Sequence, residues 1–168
     1  INNGDLQAGV IQFLTGNNMS FTNTGTANQL GGYNVADAFF SVGSAANFSF
    51  SNTGVITADL RLLSLTGTST NAVVMNSGDM ISRSNVISAT NAMDVENTGT
   101  MISHSDLFVS TAGLEFHNSG TLQADAAIIQ SSGGFVEFRN EGSVAAGGLL
   151  VSANSNVYVQ NSGVIDVE

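Results

Sequence analysis

A right-handed parallel β-helix, an all-β solenoid of about eight coils with roughly 21 residues and three short strands per coil, is the fold class this sequence predicts. Three observations predict it. The marker Asn-x-Gly opens at Asn2, Asn23, Asn52, Asn76, Asn97, Asn118, Asn140 and Asn161, in steps of 21, 29, 24, 21, 21, 22 and 21 residues. On either side of each marker, apolar and polar residues alternate with the period of two that a half-buried strand requires. The chain also combines 19 glycines and no proline with 42% hydrophobic residues, a balance that folds rather than stays disordered.

The first strand of each coil follows the marker. Leu6, Ala27, Ile56, Met80, Met101, Leu122, Val144 and Ile165 stand four residues after each Asn, and small side chains such as Ala58, Ser82, Ser103, Ala124 and Ala146 stand two further on. The middle strand is read in GVIQFL, DLRLLSL, NVISA, DLFVS, AAIIQS and GLLVSA. The third strand precedes the next marker. Its inward positions are Met19, Phe48, Ala72, Met93, Leu114, Val136 and Val157, then Phe21, Phe50, Val74, Val95, Phe116, Phe138 and Val159. Each strand is expected to pair with its equivalent on the next coil at ~4.8 Å, and the rule for parallel crossovers gives the right hand.

The marker itself is a corner. Glycine at Gly4, Gly25, Gly54, Gly78, Gly99, Gly120, Gly142 and Gly163 is expected to supply a positive φ, and the Asn amide to satisfy turn backbone groups. Stacked coils would align those amides in a ladder, each donating to the next.

At 168 residues the chain suits one domain, spanning 1–168, and the long 29-residue step predicts a loop insertion around 28–38. Tyr33 and Asn34 in that insertion could contact a sugar or a partner; the competing account is a bulge with Phe39 or Phe40 filling the core.

Thirteen acidic residues against three Arg leave a net charge of −10, which repels nucleic acid and disfavours anionic membrane surfaces. No run is long and apolar enough for direct membrane insertion, and no basic-then-hydrophobic leader opens the sequence, so an exported form would have lost its signal already. Without cysteine there is neither a disulfide framework nor a thiolate metal site, and redox logic leaves the compartment open.

The unit NSGTLQADAAIIQSSGGFVEFR followed by NEGSVAAGGLLVSANSNVYVQ resembles the repeats of filamentous-haemagglutinin-type exoproteins and autotransporter passenger domains. The resemblance covers nearly the whole chain, from Asn2 to Glu168. It implies a three-sided β-helix exported across the bacterial outer membrane, often an adhesin. The sequence has no recognisable secretion or barrel-forming segment and no polar end caps. Either it is a segment of a longer rod, or its ends are covered by neighbouring copies.

Outward positions supply the candidates for chemistry. Asp94, Glu115 and Glu137 should stack on adjacent coils, with Glu96, His117 and Arg139 two residues along. Carboxylates ~5 Å apart could act as general acid and base on a glycan, but the same geometry is that of a solvated acidic face eased by His117 and Arg139. A second column holds Asp59, Arg83, His104 and Asp125, where opposite charges on successive rungs specify register. His104 with Asp106 and Asp125 is a weak metal candidate, so no metal site and no cofactor are expected. Two sequons, at Asn18 and Asn47, matter only in a host able to glycosylate them. The stretch TGTST is the one local hint of an ice-binding threonine ladder.

The expected function is a non-catalytic extracellular or cell-surface structural solenoid, an adhesin shaft or self-assembling filament subunit, associating head to tail by end stacking or strand donation. A carbohydrate-active β-helix using Asp94, Glu115 and Glu137, or a glycan-binding module, is the alternative.

Overall fold

A computed structural model describes residues 1–30, 38–67 and 71–168. Every described element is a strand, so no helix is long and apolar enough to cross a membrane. All strand pairing is parallel between equivalent positions of successive coils, as a β-solenoid requires.

The first wall is an eight-stranded sheet: β1 (Asp5–Ala8), β3 (Thr26–Gln29), β5 (Val55–Ala58), β8 (Asp79–Ser82), β11 (Thr100–Ser103), β14 (Thr121–Ala124), β17 (Ser143–Ala146) and β20 (Val164–Val167). The second wall begins with the early parts of β2 (Ile11–Asn23) and β4 (Ala38–Asn52). It continues through β6 (Arg61–Leu65), β9 (Ile87–Ala89), β12 (Phe108–Ser110), β15 (Ile129–Ser131) and β18 (Val151–Ala153). The third wall takes the later parts of β2 and β4, then β7 (Asn71–Asn76), β10 (Met93–Asn97), β13 (Leu114–Asn118), β16 (Val136–Asn140) and β19 (Val157–Asn161).

Two details differ from the sequence expectation. The eighth marker opens a coil of which only the first strand, β20, is present, so the solenoid makes about seven turns rather than eight. In the first two coils the middle and third strands are not separate: β2 runs 13 residues and β4 runs 15. Gly16 and Gly43, which look like turn residues, sit inside those long strands, where a Cβ at Gly43 would strike the Leu14 carbonyl of the preceding coil.

Most of the loop insertion expected around 28–38 lies outside the described residues. Eight residues separate β3 from β4, whereas two separate β5 from β6. Tyr33 and Asn34 lie outside the described residues. At the end of β3, buried Gln29 ties three coils together: its amide donates to the Gly9 carbonyl at 3.0 Å and its carbonyl accepts Leu60 N–H at 3.1 Å.

The inward columns form one core. Phe39 and Phe40 are both fully buried and join a ring cluster with Phe21, Phe50 and Phe48; Phe21 and Phe40 lie 4.5 Å apart between centroids. Farther along, Phe116 bridges Phe108 at 4.5 Å and Phe138 at 5.3 Å. Such a ring has no room to collapse around a void. Phe116→Ala is expected to cost ~3–5 kcal/mol, read as a lower urea midpoint. A loss below ~1 kcal/mol would contradict the packing described.

Candidate functional site

The Asn-x-Gly corner is the most elaborate polar structure among the described residues. Asn2 Nδ2 donates to Asn23 Oδ1 at 2.7 Å, Asn23 to Asn52, Asn52 to Asn76, Asn76 to Asn97 and Asn97 to Asn118 at 2.8 Å, Asn118 to Asn140 at 2.7 Å, and Asn140 to Asn161 at 2.8 Å. Each amide also serves its own turn. Asn52 Nδ2 reaches the Gly54 carbonyl at 3.2 Å and the Asp79 carbonyl of the next coil at 3.0 Å, while Asn52 Oδ1 accepts Gly54 N–H at 3.3 Å. Asn23, Asn52, Asn97 and Asn118 are wholly buried, so this satisfaction is what makes an amide tolerable there.

The glycines serve a different purpose from the one expected. None of the motif glycines takes a positive φ; Gly134 alone among the described residues does, at 75°. A Cβ at Gly25, Gly54, Gly78, Gly99, Gly120, Gly142 or Gly163 would instead collide with the carbonyl oxygen of the motif glycine one coil earlier. The missing side chain allows coils to approach, rather than the backbone to twist.

On some coils the other two corners carry a buried serine, of which the sequence singles out Ser82 and Ser103 only as small. Ser103 Oγ donates to the Ser84 carbonyl at 2.6 Å and the Asp106 carbonyl at 2.9 Å, and accepts Ser105 N–H at 3.0 Å. Ser110 Oγ meets the Ala112 carbonyl at 2.8 Å and Ser131 Oγ the Gly133 carbonyl at 2.7 Å. The sequon residues Asn18 and Asn47 join Asn71 in a short exposed ladder: Asn47 Nδ2 donates to Asn18 Oδ1 at 2.7 Å and Asn71 Nδ2 to Asn47 Oδ1 at 2.9 Å. The recurrence of Asn five residues before three consecutive markers was the available clue.

The acidic column lies on the third wall. Asp94, Glu115 and Glu137 are register partners on β10, β13 and β16, as are Glu96, His117 and Arg139. They line a shallow trough of ≈ 480 Å³, bounded by Val73 and Met75 at one end and Gln160 and Ser162 at the other. Within it Arg139 clamps Glu137 through Nη2 at 2.5 Å and Nε at 2.6 Å, and His117 Nε2 stands 3.6 Å from Glu141. Glu115 is thus left between two carboxylates of its own sign. Glu115→Gln is expected to stabilise the fold by a few tenths of a kcal/mol, as a small rise in melting temperature at low salt that fades at high salt. A clear loss of stability would mean that Glu115 holds a partner the trough geometry does not provide.

The second column pairs as charge complementarity expects: Arg83 Nε lies 3.6 Å from Asp59 and His104 Nδ1 3.0 Å from Asp125. The suggested metal set does not converge. Asp106 Oδ1 instead accepts the Ala127 N–H at 3.0 Å, and no metal-holding group of three acidic or His side chains occurs among the described residues. No protein-family model, curated protein or solved structure matches this chain.

Proposed function

We propose that this chain is a non-catalytic structural solenoid of the cell surface or extracellular space, serving as an adhesin shaft or a subunit of a surface filament. One observation carries the reading: the Asn ladder, buried at every internal rung, runs unbroken from Asn2 to Asn161. Such a ladder couples each rung to its neighbours along the axis, which is what an element that transmits length and load needs. Among the described residues the third wall carries polar and acidic side chains along an open, shallow trough rather than an enclosing cleft of the kind small-molecule sites favour. The resemblance of the repeats to filamentous-haemagglutinin and passenger-domain units supports the same reading, with copies of the chain, glycans or a host surface as partners.

Single-molecule pulling between the chain ends tests it. A shaft should release about one coil at a time, roughly 21 residues or ~70 Å of contour length per step. Featureless extension at low force would remove the load-bearing role.

The trough supports a second reading, a glycan-acting or glycan-binding face, because Asp94 and Glu115 have carboxylates without a hydrogen-bond or ion-pair partner among the described residues. Turnover of any polysaccharide that disappears in Glu115→Gln would favour this reading over the shaft.

A further inference from the structure

The exposed asparagines Asn18, Asn47 and Asn71 have no structural task that burial imposes. They stand in register on the third wall, Asn18 beside Asn47 across β2 and β4 and Asn47 beside Asn71 across β4 and β7. The row stops inside the chain, where Ala92 and Gly113 take the same place on the next two coils. Water can satisfy an exposed amide, so these side chains do not need a ladder as the marker asparagines do.

The ladder forms nevertheless, and it fixes what the row offers. A primary amide has two N–H donors and two acceptor lone pairs. Asn47 uses one N–H on Asn18 Oδ1 at 2.7 Å and one lone pair on the Asn71 amide at 2.9 Å. One donor and one acceptor remain on an exposed side chain whose orientation its neighbours hold. Two residues along, Ser20, Ser49 and Val73 share a register, and with the three asparagines they border a shallow hollow of ≈ 400 Å³.

Charge sets the same stretch apart. The chain carries a net −10, yet β2, β4 and β7 contain no charged residue. Acids begin on the next rung, with Asp94 and Glu96 on β10. The third wall therefore has a neutral half of amides and hydroxyls beside an acidic half.

We propose that the row Asn18, Asn47 and Asn71 binds a neutral, linear polysaccharide laid along the solenoid axis. A sugar hydroxyl both donates and accepts, as does the amide capacity left at Asn47. One sugar lengthens an extended chain by roughly one rung spacing, ~4.8 Å, so successive sugars meet successive amides. Val73 supports the C–H face of a ring, and amides already held in place lower the ordering cost of binding. Charged chains are selected against: uronates are repelled by the acids on β10 and β13, and amino-sugar chains are drawn to that acidic half instead. This deepens the adhesin form of the structural reading and rests on it, with the adhesive row on the shaft itself.

The test is titration of the 168-residue chain, made in a host that leaves Asn18 and Asn47 unmodified, followed by nuclear magnetic resonance of the asparagine side-chain amides. The probes are neutral linear hexasaccharides of glucan, mannan, xylan and N-acetylglucosamine type, with glucosamine and uronic acid hexamers as charged comparisons. At least one neutral hexamer should shift the amides of Asn18, Asn47 and Asn71 at millimolar concentration and leave those of Asn97 and Asn118 in place. The charged hexamers should leave the row unmoved. Asn47→Ala should keep the wild-type circular dichroism and melting temperature while binding at least ten-fold more weakly, and Asn71→Ala should act in the same sense. Three results would overturn the proposal: no neutral hexamer moving the row, binding unchanged in both variants, or amide shifts that follow protein concentration without sugar, which would assign the face to a second copy. None of them changes the pulling result, so failure of the row and failure of the shaft reading are separable.

Discussion

Gly120→Ala is expected to destabilise the solenoid by about 3 kcal/mol, the upper part of the range for overpacking, while Gly4→Ala leaves stability unchanged or slightly raised. The two substitutions are chemically identical and fall on the same motif position. They differ in what lies one coil earlier. At Gly120 the new Cβ would strike the Gly99 carbonyl and crowd the backbone around Thr98 and the Asn97 amide; at Gly4 it meets nothing. A carbonyl in a paired sheet cannot swing aside as a side-chain tip can, so relief requires coils to separate locally and neighbouring hydrogen bonds to lengthen. Because a solenoid's stability is a sum of rung and interface terms, such a lesion in the middle uncouples the rod into two shorter stacks. Urea midpoints of the two variants check this. Equal losses would return the glycines to the role of turn formers, since a conformational requirement would act on every corner alike.

Asn97→Ala is expected to cost ~3–5 kcal/mol, because the lost amide removes four hydrogen bonds in a buried corner at once. Asn97 Nδ2 donates to Asn118 Oδ1 at 2.8 Å, the Gly99 carbonyl at 3.1 Å and the Thr121 carbonyl at 3.4 Å, and its Oδ1 accepts from Asn76 at 2.8 Å. Truncation strands the Asn118 acceptor in a buried corner, with Asn76, Asn97 and Asn118 at 2% exposure or less, while Asn76 Nδ2 keeps only the Gly78 and Thr100 carbonyls. The exposed terminal residue is the internal control. Asn161→Ala removes two solvent-accessible bonds with Gly163 and one ladder acceptor, and its cost should stay near ~1 kcal/mol. Comparable losses at both positions, measured by thermal unfolding, would show that the ladder adds nothing beyond a single turn bond.

Much of this architecture was legible because the repeat is exposed in the sequence itself. The marker phase fixed which residues share a wall, and partners such as Asp94, Glu115 and Glu137 or Val95, Phe116 and Phe138 fall in the register that phase implies. The Asn ladder followed from stacking identical polar corners. What escaped was information that a single coil does not carry. The reason for glycine was missed because turn dihedrals and close approach of neighbouring backbones select the same residue, and only coordinates separate them. The fusion of middle and third strands in β2 and β4 was missed because Gly16 and Gly43 look locally like turns. Ser82 and Ser103 stand out in the sequence only as small, and Ser110 and Ser131 only as strand residues, although the hydroxyls of all four bond backbone carbonyls at the other two corners. The acidic trough was found as a column, yet whether Glu137 is free or clamped by Arg139 depends on rotamers rather than on spacing.

The measurement that tests the central claim most directly is hydrogen exchange of the asparagine side-chain amides, followed by nuclear magnetic resonance. A load-coupling ladder requires the Nδ2 protons of Asn76, Asn97 and Asn118 to exchange as slowly as backbone amides of β10 and β13, while those of exposed Asn3 and Asn154 exchange at the solvent rate. Fast exchange at the internal corners, with the strands still protected, would contradict the ladder and with it the structural role built upon it.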